Sequence, residues 1–184
     1  MTLFEFLTVA LSIVLALSAG QLLTNIREVF DPNRRYWIHT LWVIHLLVTH
    51  VIIWWSFWAY RDVESWNLAT FSVALLPPGI LLVCTSTLVP TYASTVASWE
   101  AHFFEVRRWF LAARSLLMIS AGFRTWLLLD TPVLESPTPV SGLILLLCIA
   151  GILIPDRRFQ GALSVVLLAL VVGGVAYFRL DAGA

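Results

Sequence analysis

The chain contains no lysine. Its 11 basic residues are all arginine, and 11 Asp and Glu bring the formal net charge to zero. Without a basic face, nucleic-acid binding is excluded. Charge of either sign is scarce at 12 %, against about 25 % in a soluble domain. Cysteine is scarce too: Cys84 and Cys148 lie in apolar runs, which excludes a disulfide framework and fits small buried hydrophobes. A Walker loop and the G-x-G-x-x-G, G-x-S-x-G, H-E-x-x-H and CxxC patterns are all missing. The N-terminus has neither a basic n-region nor a small-residue cleavage site, so residues 2–23 read as a span and not as a cleaved signal. Polar stretches run to about 6–20 residues, too short for a soluble catalytic domain. These absences favour a non-enzymatic role over a catalytic one.

What is present is apolar. Hydrophobic residues make up 60 % of the chain and the mean hydropathy is +0.89, where a soluble domain has about 45–50 % apolar residues. This is an integral membrane protein in the making. A membrane helix needs about 20 mostly apolar residues. Spans are expected near 3–25, 37–60, 67–89, 108–129, 139–155 and 160–179. The expected fold is all-α: a polytopic membrane helix bundle of about six transmembrane helices, one transmembrane domain over 1–184. Residues 91–107 are too polar to cross and read as an interfacial amphipathic segment. The span framed by Pro139 and Pro155 is the shortest.

Arginine sets the orientation. DPNRRYW, EVRRWF and IPDRRFQ each carry Arg-Arg before an aromatic. Arg27, Arg34, Arg35, Arg107, Arg108, Arg157 and Arg158 fall on one side of the six-span scheme, and Arg61, Arg124 and Arg179 on the other. Basic residues accumulate in short cytoplasmic loops, so loops one, three and five are expected inside and both termini outside. Arg34, Arg35, Arg107, Arg108, Arg157 and Arg158 then serve as topology anchors, their aromatic neighbours sitting at headgroup depth.

Several residues within the spans invite chemistry. His45 and His50 lie about 12 and 20 Å beyond Trp37 at 1.5 Å per residue, inside the hydrocarbon. Intramembrane ionisable groups are functional candidates by default. Their structural alternative is a neutral imidazole bonded to a carbonyl or hydroxyl. His50, Trp54 and Trp58 share a helical face by spacing of four, and Trp54 and Trp58 also belong to an aromatic belt. Pro77-Pro78-Gly79 is expected to break the third span. Thr85, Ser86 and Thr87 beside Cys84 could then line a hydrated cavity or re-satisfy the kinked backbone. Arg114 lies about 9 Å inward from Arg108. It is expected to face a cavity or an acidic partner, with Glu28, Glu100 and Glu105 as nearby carboxylates, or else to snorkel.

In the first span Thr8, Ser12, Ala16, Gly20 and Thr24 form a small-residue stripe, expected to be a tight helix–helix contact. Gly142, Gly151, Gly161, Ala169, Gly173 and Gly174 suggest close packing in the last two spans. Glu100, His102 and Glu105 could suggest a metal site. On a helix, however, Glu100 and His102 are roughly 200° apart, so no metal is expected there.

The stretches LSIVLALSAGQLLT, RRYWIHTLWVIHLL followed by WW, and AHFFEVRRWF resemble those of a group of small bacterial multi-pass membrane proteins. The resemblance implies a bacterial inner membrane and carries no activity with it.

Together these features point to a small oligomeric channel or transporter for an ion or small solute. His45, His50, Trp54, Trp58, Thr85, Ser86, Thr87 and Arg114 would form its pathway or binding site. The expected partners are the lipid bilayer and further copies of the chain, and no cofactor is required. A non-catalytic sensor or assembly subunit working with another protein is one alternative. A haem-binding electron-transfer protein with His45 or His50 as axial ligand is another, and it would need a haem bridged between subunits.

Overall fold

Thr2 opens the first helix. Its hydroxyl accepts from the Glu5 N–H at 3.1 Å while the Glu5 carboxylate accepts from the Thr2 N–H at 2.9 Å, a reciprocal cap. The computed structural model describes residues 2–63, 65–130 and 138–179, the side chains of 138, 139 and 175–179 excepted. Arg179 therefore lies outside the described side chains. Among the described residues every regular element is helical. They are α1 (Leu3–Thr24), α2 (Ile26–Val29), α3 (Trp37–Ser56, extended by a 3-10 turn over Phe57–Tyr60), α4 (Leu68–Leu88), α5 (Trp99–Leu129), α6 (Thr138–Leu153) and α7 (Arg157–Arg179). A second 3-10 turn covers Ala93–Thr95.

Among the described residues four helices are long and apolar enough to cross a membrane: Leu3–Thr24, Trp37–Tyr60, Leu68–Thr95 and Arg157–Gly174. The other two expected spans correspond to α5, which carries four arginines, and to α6, which is short. These two pair as an antiparallel hairpin. Arg107, in the third turn of α5, reaches the carbonyls at the C-terminal end of α6.

Two expectations are corrected here, and a third is narrowed. Residues 91–107 do not form a separate interfacial helix. Ser98 caps α5 by accepting from Ala101 N–H, and Trp99–Arg107 are its first turns. At 31 residues α5 is about 46 Å long at 1.5 Å per residue, more than the ~30 Å of hydrocarbon, so its polar start can project. Nor is the third span broken: α4 runs through Pro77 and Pro78 without interruption from Leu68 to Leu88. Finally, the small-residue stripe of α1 is not its packed face within the subunit. The buried face is Leu7, Leu11, Leu15, Ser18 and Leu22, and nothing lies within 4 Å of where a Cβ on Gly20 would sit.

α4 packs chiefly on α5 and α1, α5 also on α6, α3 on α7, α1 and α4, and α6 on α7. Trp42 and Leu46 of α3, Phe110 and Leu117 of α5, and Leu163 and Leu167 of α7 fill the centre, all buried. The Trp42 and Phe110 rings meet edge to face at 5.0 Å between centroids.

Candidate functional site

The register of α5 turns Arg114 inward with Phe110 and Leu117. Its side chain is 1 % exposed. Opposite stands His45 of α3, also 1 % exposed. Arg114 Nη2 is 3.3 Å from His45 Nδ1 and 3.4 Å from Nε2. An atom so nearly equidistant from both ring nitrogens cannot lie in the ring plane without striking Cε1 between them. The guanidinium therefore stands over the imidazole face, as a cation over a π system. Nε and Nη1 of Arg114 have no hydrogen-bond partner. No carboxylate within the described residues pairs with it: the ion pairs there are Arg34–Glu28, Arg34–Asp31, Arg61–Asp62 and Arg157–Glu100. The expected acidic partner is thus absent among those residues. The buried thiols of Cys84 on α4 and Cys148 on α6 are close enough to feel the charge, and the Leu167 backbone on α7 neighbours His45. Groups from α3, α4 and α6 thus surround the cation of α5, and α7 reaches its neighbour His45.

A second polar cluster lies further along α3. His50 Nδ1 is 2.7 Å from the Leu46 carbonyl, and its Nε2 is 2.7 Å from Ser18 Oγ. Ser18 Oγ is also 2.9 Å from Thr85 Oγ1. A carbonyl only accepts, so Nδ1 carries a proton. Ser18 donates to Thr85 Oγ1 and lies within hydrogen-bond distance of His50 Nε2. This chain ties α1, α3 and α4 together. Ser86 also bonds across to α1: its hydroxyl donates to Gln21 Oε1 at 3.1 Å, and Gln21 Nε2 donates to the Val89 carbonyl at 2.6 Å. Thr87 donates within its own helix, to Val83. Of the polar residues singled out on this span, Thr85 and Ser86 join helices and Thr87 does not.

His50 does not share its surroundings with Trp54 and Trp58. It is buried, while the two tryptophans are 55 % and 59 % exposed. They line an apolar groove of about 390 Å³ with Phe4, Thr8, Leu11 and Trp55, a surface suited to lipid.

At the opposite end of the bundle the three Arg-Arg pairs share a pattern not visible in the sequence. The first arginine of each pair makes contacts within the protein and the second is exposed. Arg34 pairs with Glu28 and Asp31 and donates to the carbonyls of Ser94 and Val96 at 3.2 and 3.0 Å. Arg107, 3 % exposed, donates to the Gly151 carbonyl and, at 3.1 Å, to that of Ile154. Gln160 donates to the same two carbonyls at 2.9 and 2.7 Å. A cation over the C-terminal carbonyls of α6 is favoured by the helix dipole. Arg157 pairs with Glu100 at 2.7 Å. The first arginines thus bind the α2–α3 connection, the α4–α5 connection with the start of α5, and the α6–α7 connection to one another, while Arg35, Arg108 and Arg158 are exposed. The Asn33 N–H and the Arg34 guanidinium hold the Asp31 carboxyl below its ordinary range.

Trp99, fully buried, forms the hub of this end. Its indole N–H donates to the Glu28 carbonyl at 2.8 Å, and its ring stacks on His39 at 4.4 Å. His39 and His102 both donate from Nε2 to the Leu88 carbonyl, at 3.0 and 3.2 Å. Sequence reasoning assigned Trp99 no role. Its position one residue after the capping Ser98 is the signal that could have found it. Near the other end Arg124 lies over the rings of Phe57 and Tyr60, at 4.7 and 4.8 Å. No group of His, Cys, Asp and Glu among the described residues is arranged to hold a metal ion.

No protein-family model, curated protein or solved structure matches the chain. The functional reading therefore rests on the chemistry of the buried centre. A desolvated cation with free donors can take up an acceptor; the Ser18–His50–Thr85 chain, whose groups are mutually satisfied, can hold helices in register.

Proposed function

We propose that this protein is a six-span carrier of an ion or small solute in the bacterial inner membrane, with loops one, three and five inside and both termini outside. The observation that carries the reading is Arg114: a guanidinium sealed from solvent inside the helix bundle, over His45 and with Nε and Nη1 unfilled. A charge in hydrocarbon is costly and marks substrate or ion pathways. A carrier suits the packed centre better than an open pore within one subunit, because Trp42, Leu46, Phe110, Leu117, Leu163 and Leu167 fill the bundle. Passage would require the helices around Arg114 to rearrange. The contacts of Arg34, Arg107 and Arg157 join loops one, three and five, which supports a common side for those loops. The outward small-residue stripe of α1 offers a face for a second copy of the chain.

Reporter fusions in each loop test the topology, with loops one, three and five inside. Flux into proteoliposomes tests the function. Uptake that falls in both Arg114→Ala and His45→Ala supports the carrier. Uptake equal to that of empty liposomes across a panel of anions, cations and neutral solutes removes it.

A further inference from the structure

Among the described residues Arg114 has no counter-ion, in a place where one is needed. Moving an ammonium- or guanidinium-like charge from water into a low-dielectric interior carries a penalty of several kcal/mol even after relaxation. Buried charges are accordingly paired or coordinated. Around Arg114 the neighbours are an imidazole face, two thiols and apolar side chains. A neutral thiol is a weak acceptor, and an imidazole face offers no lone pair. The described residues thus supply the donors, and none of them supplies the acceptor.

We propose that Arg114 is the binding site for a small monovalent anion, with planar oxyanions of the carboxylate or nitrate type preferred. One guanidinium balances one negative charge. Burial at 1 % exposure requires the anion to shed its water, which disfavours strongly hydrated divalent ions. The planar fork of arginine matches planar oxyanions. His45 flanks the site with an aromatic face, so an anion in the guanidinium plane would avoid its π cloud. The proposal rests on the carrier reading and names the class of solute that it would carry.

Formate is the probe. Purified protein in detergent is titrated with sodium formate, sodium gluconate holding the ionic strength constant, and the unfolding midpoint is followed. A ligand that binds only the folded state raises the midpoint saturably. The wild type is expected to show this rise, with sulfate giving none, and Arg114→Met is expected to bind formate more than about tenfold more weakly. No saturable rise in the wild type, or an equal rise in Arg114→Met, overturns the site. Where Arg114→Met does not fold, Arg114→Lys decides: it keeps the charge and loses the fork, so formate binding weakens more than about tenfold, and an unchanged affinity overturns the proposal. Proteoliposome uptake separates the two readings. Formate binding without any flux keeps the anion site and removes the carrier. Flux of another solute with no response to formate keeps the carrier and removes the anion site.

Discussion

Ser18 Oγ sits 2.7 Å from His50 Nε2 and 2.9 Å from Thr85 Oγ1, the middle of a three-helix chain. Its position makes the two hydroxyls unequal. Ser18→Ala removes the partner of both His50 Nε2 and Thr85 Oγ1, leaving two buried polar groups short of a partner. Thr85→Val removes only the acceptor at the end of the chain, and Ser18 still reaches His50. Ser18→Ala should therefore cost about 1–3 kcal/mol, and Thr85→Val less than half of that. Thermal unfolding in detergent ranks them; an equal loss from both would show that Ser18 is not the middle of the chain.

Arg107 and Arg108 are adjacent and chemically identical, yet only the first is buried. Arg107 holds the Gly151 and Ile154 carbonyls where α6 turns into α7. Arg107→Ala should destabilise by about 1.5–3 kcal/mol, the usual range for a hydrogen bond to a charged group. Arg108→Ala should change stability by about 0.5 kcal/mol or less, as exposed substitutions do. The contrast is read from the two unfolding midpoints, and equal effects would make both residues mere headgroup contacts.

The helices themselves were legible because hydropathy marks them. The expected starts and ends of α1, α3 and α4 lie within one residue of those found, counting the 3-10 turn as part of the third helix. The faces were not legible. In lipid the outward side of a helix is as apolar as the inward side, so small residues were the only cue. On α1 that cue pointed to Thr8–Thr24, whereas the leucines at 7, 11, 15 and 22 pack inward around Ser18. The proline pair suggested a break because proline removes a backbone donor, but α4 continues past it. Arg114 was legible as a charge too deep for comfort. That it would meet His45 instead of a glutamate was not, because pairing depends on how α3 and α5 rotate. His102 was visible only as part of an apparent ligand motif. Its actual bond to the Leu88 carbonyl depends on where α4 ends.

Asp31, in the connection between α2 and α3, gives a pH dependence. The Asn33 N–H and Arg34 lower its folded pKa below the ordinary 3.8. A lowered carboxyl pKa contributes stability that is complete above the unfolded value and is lost as pH falls through the folded one. The wild type should therefore lose its stability advantage over Asp31→Asn as pH drops below about 4, and the two should converge in stronger acid. Unfolding midpoints between mild and strong acid measure the difference. A gap that stays constant across the range would mean that the Asp31 contacts do not depend on its charge.

Two glycines in helices should respond in opposite ways to the same substitution. A Cβ at Gly151 would lie 2.5 Å from Leu163 Cδ2 and 2.8 Å from Leu111 Cδ1, so both leucines must shift within a packed junction of α5, α6 and α7. Overpacking of this kind costs about 1–3 kcal/mol. At Gly20 nothing lies within 4 Å, and alanine gains up to about 1 kcal/mol of helix propensity. Gly151→Ala should thus lower the unfolding midpoint, and Gly20→Ala should hold or raise it in the monomer. The second variant also tests the outward stripe. If a second copy of the chain packs closely on α1, Gly20→Ala weakens that association while leaving the monomer intact, which size-exclusion chromatography at decreasing protein concentration resolves. Unchanged association would place the contact between copies, where one exists, on another face.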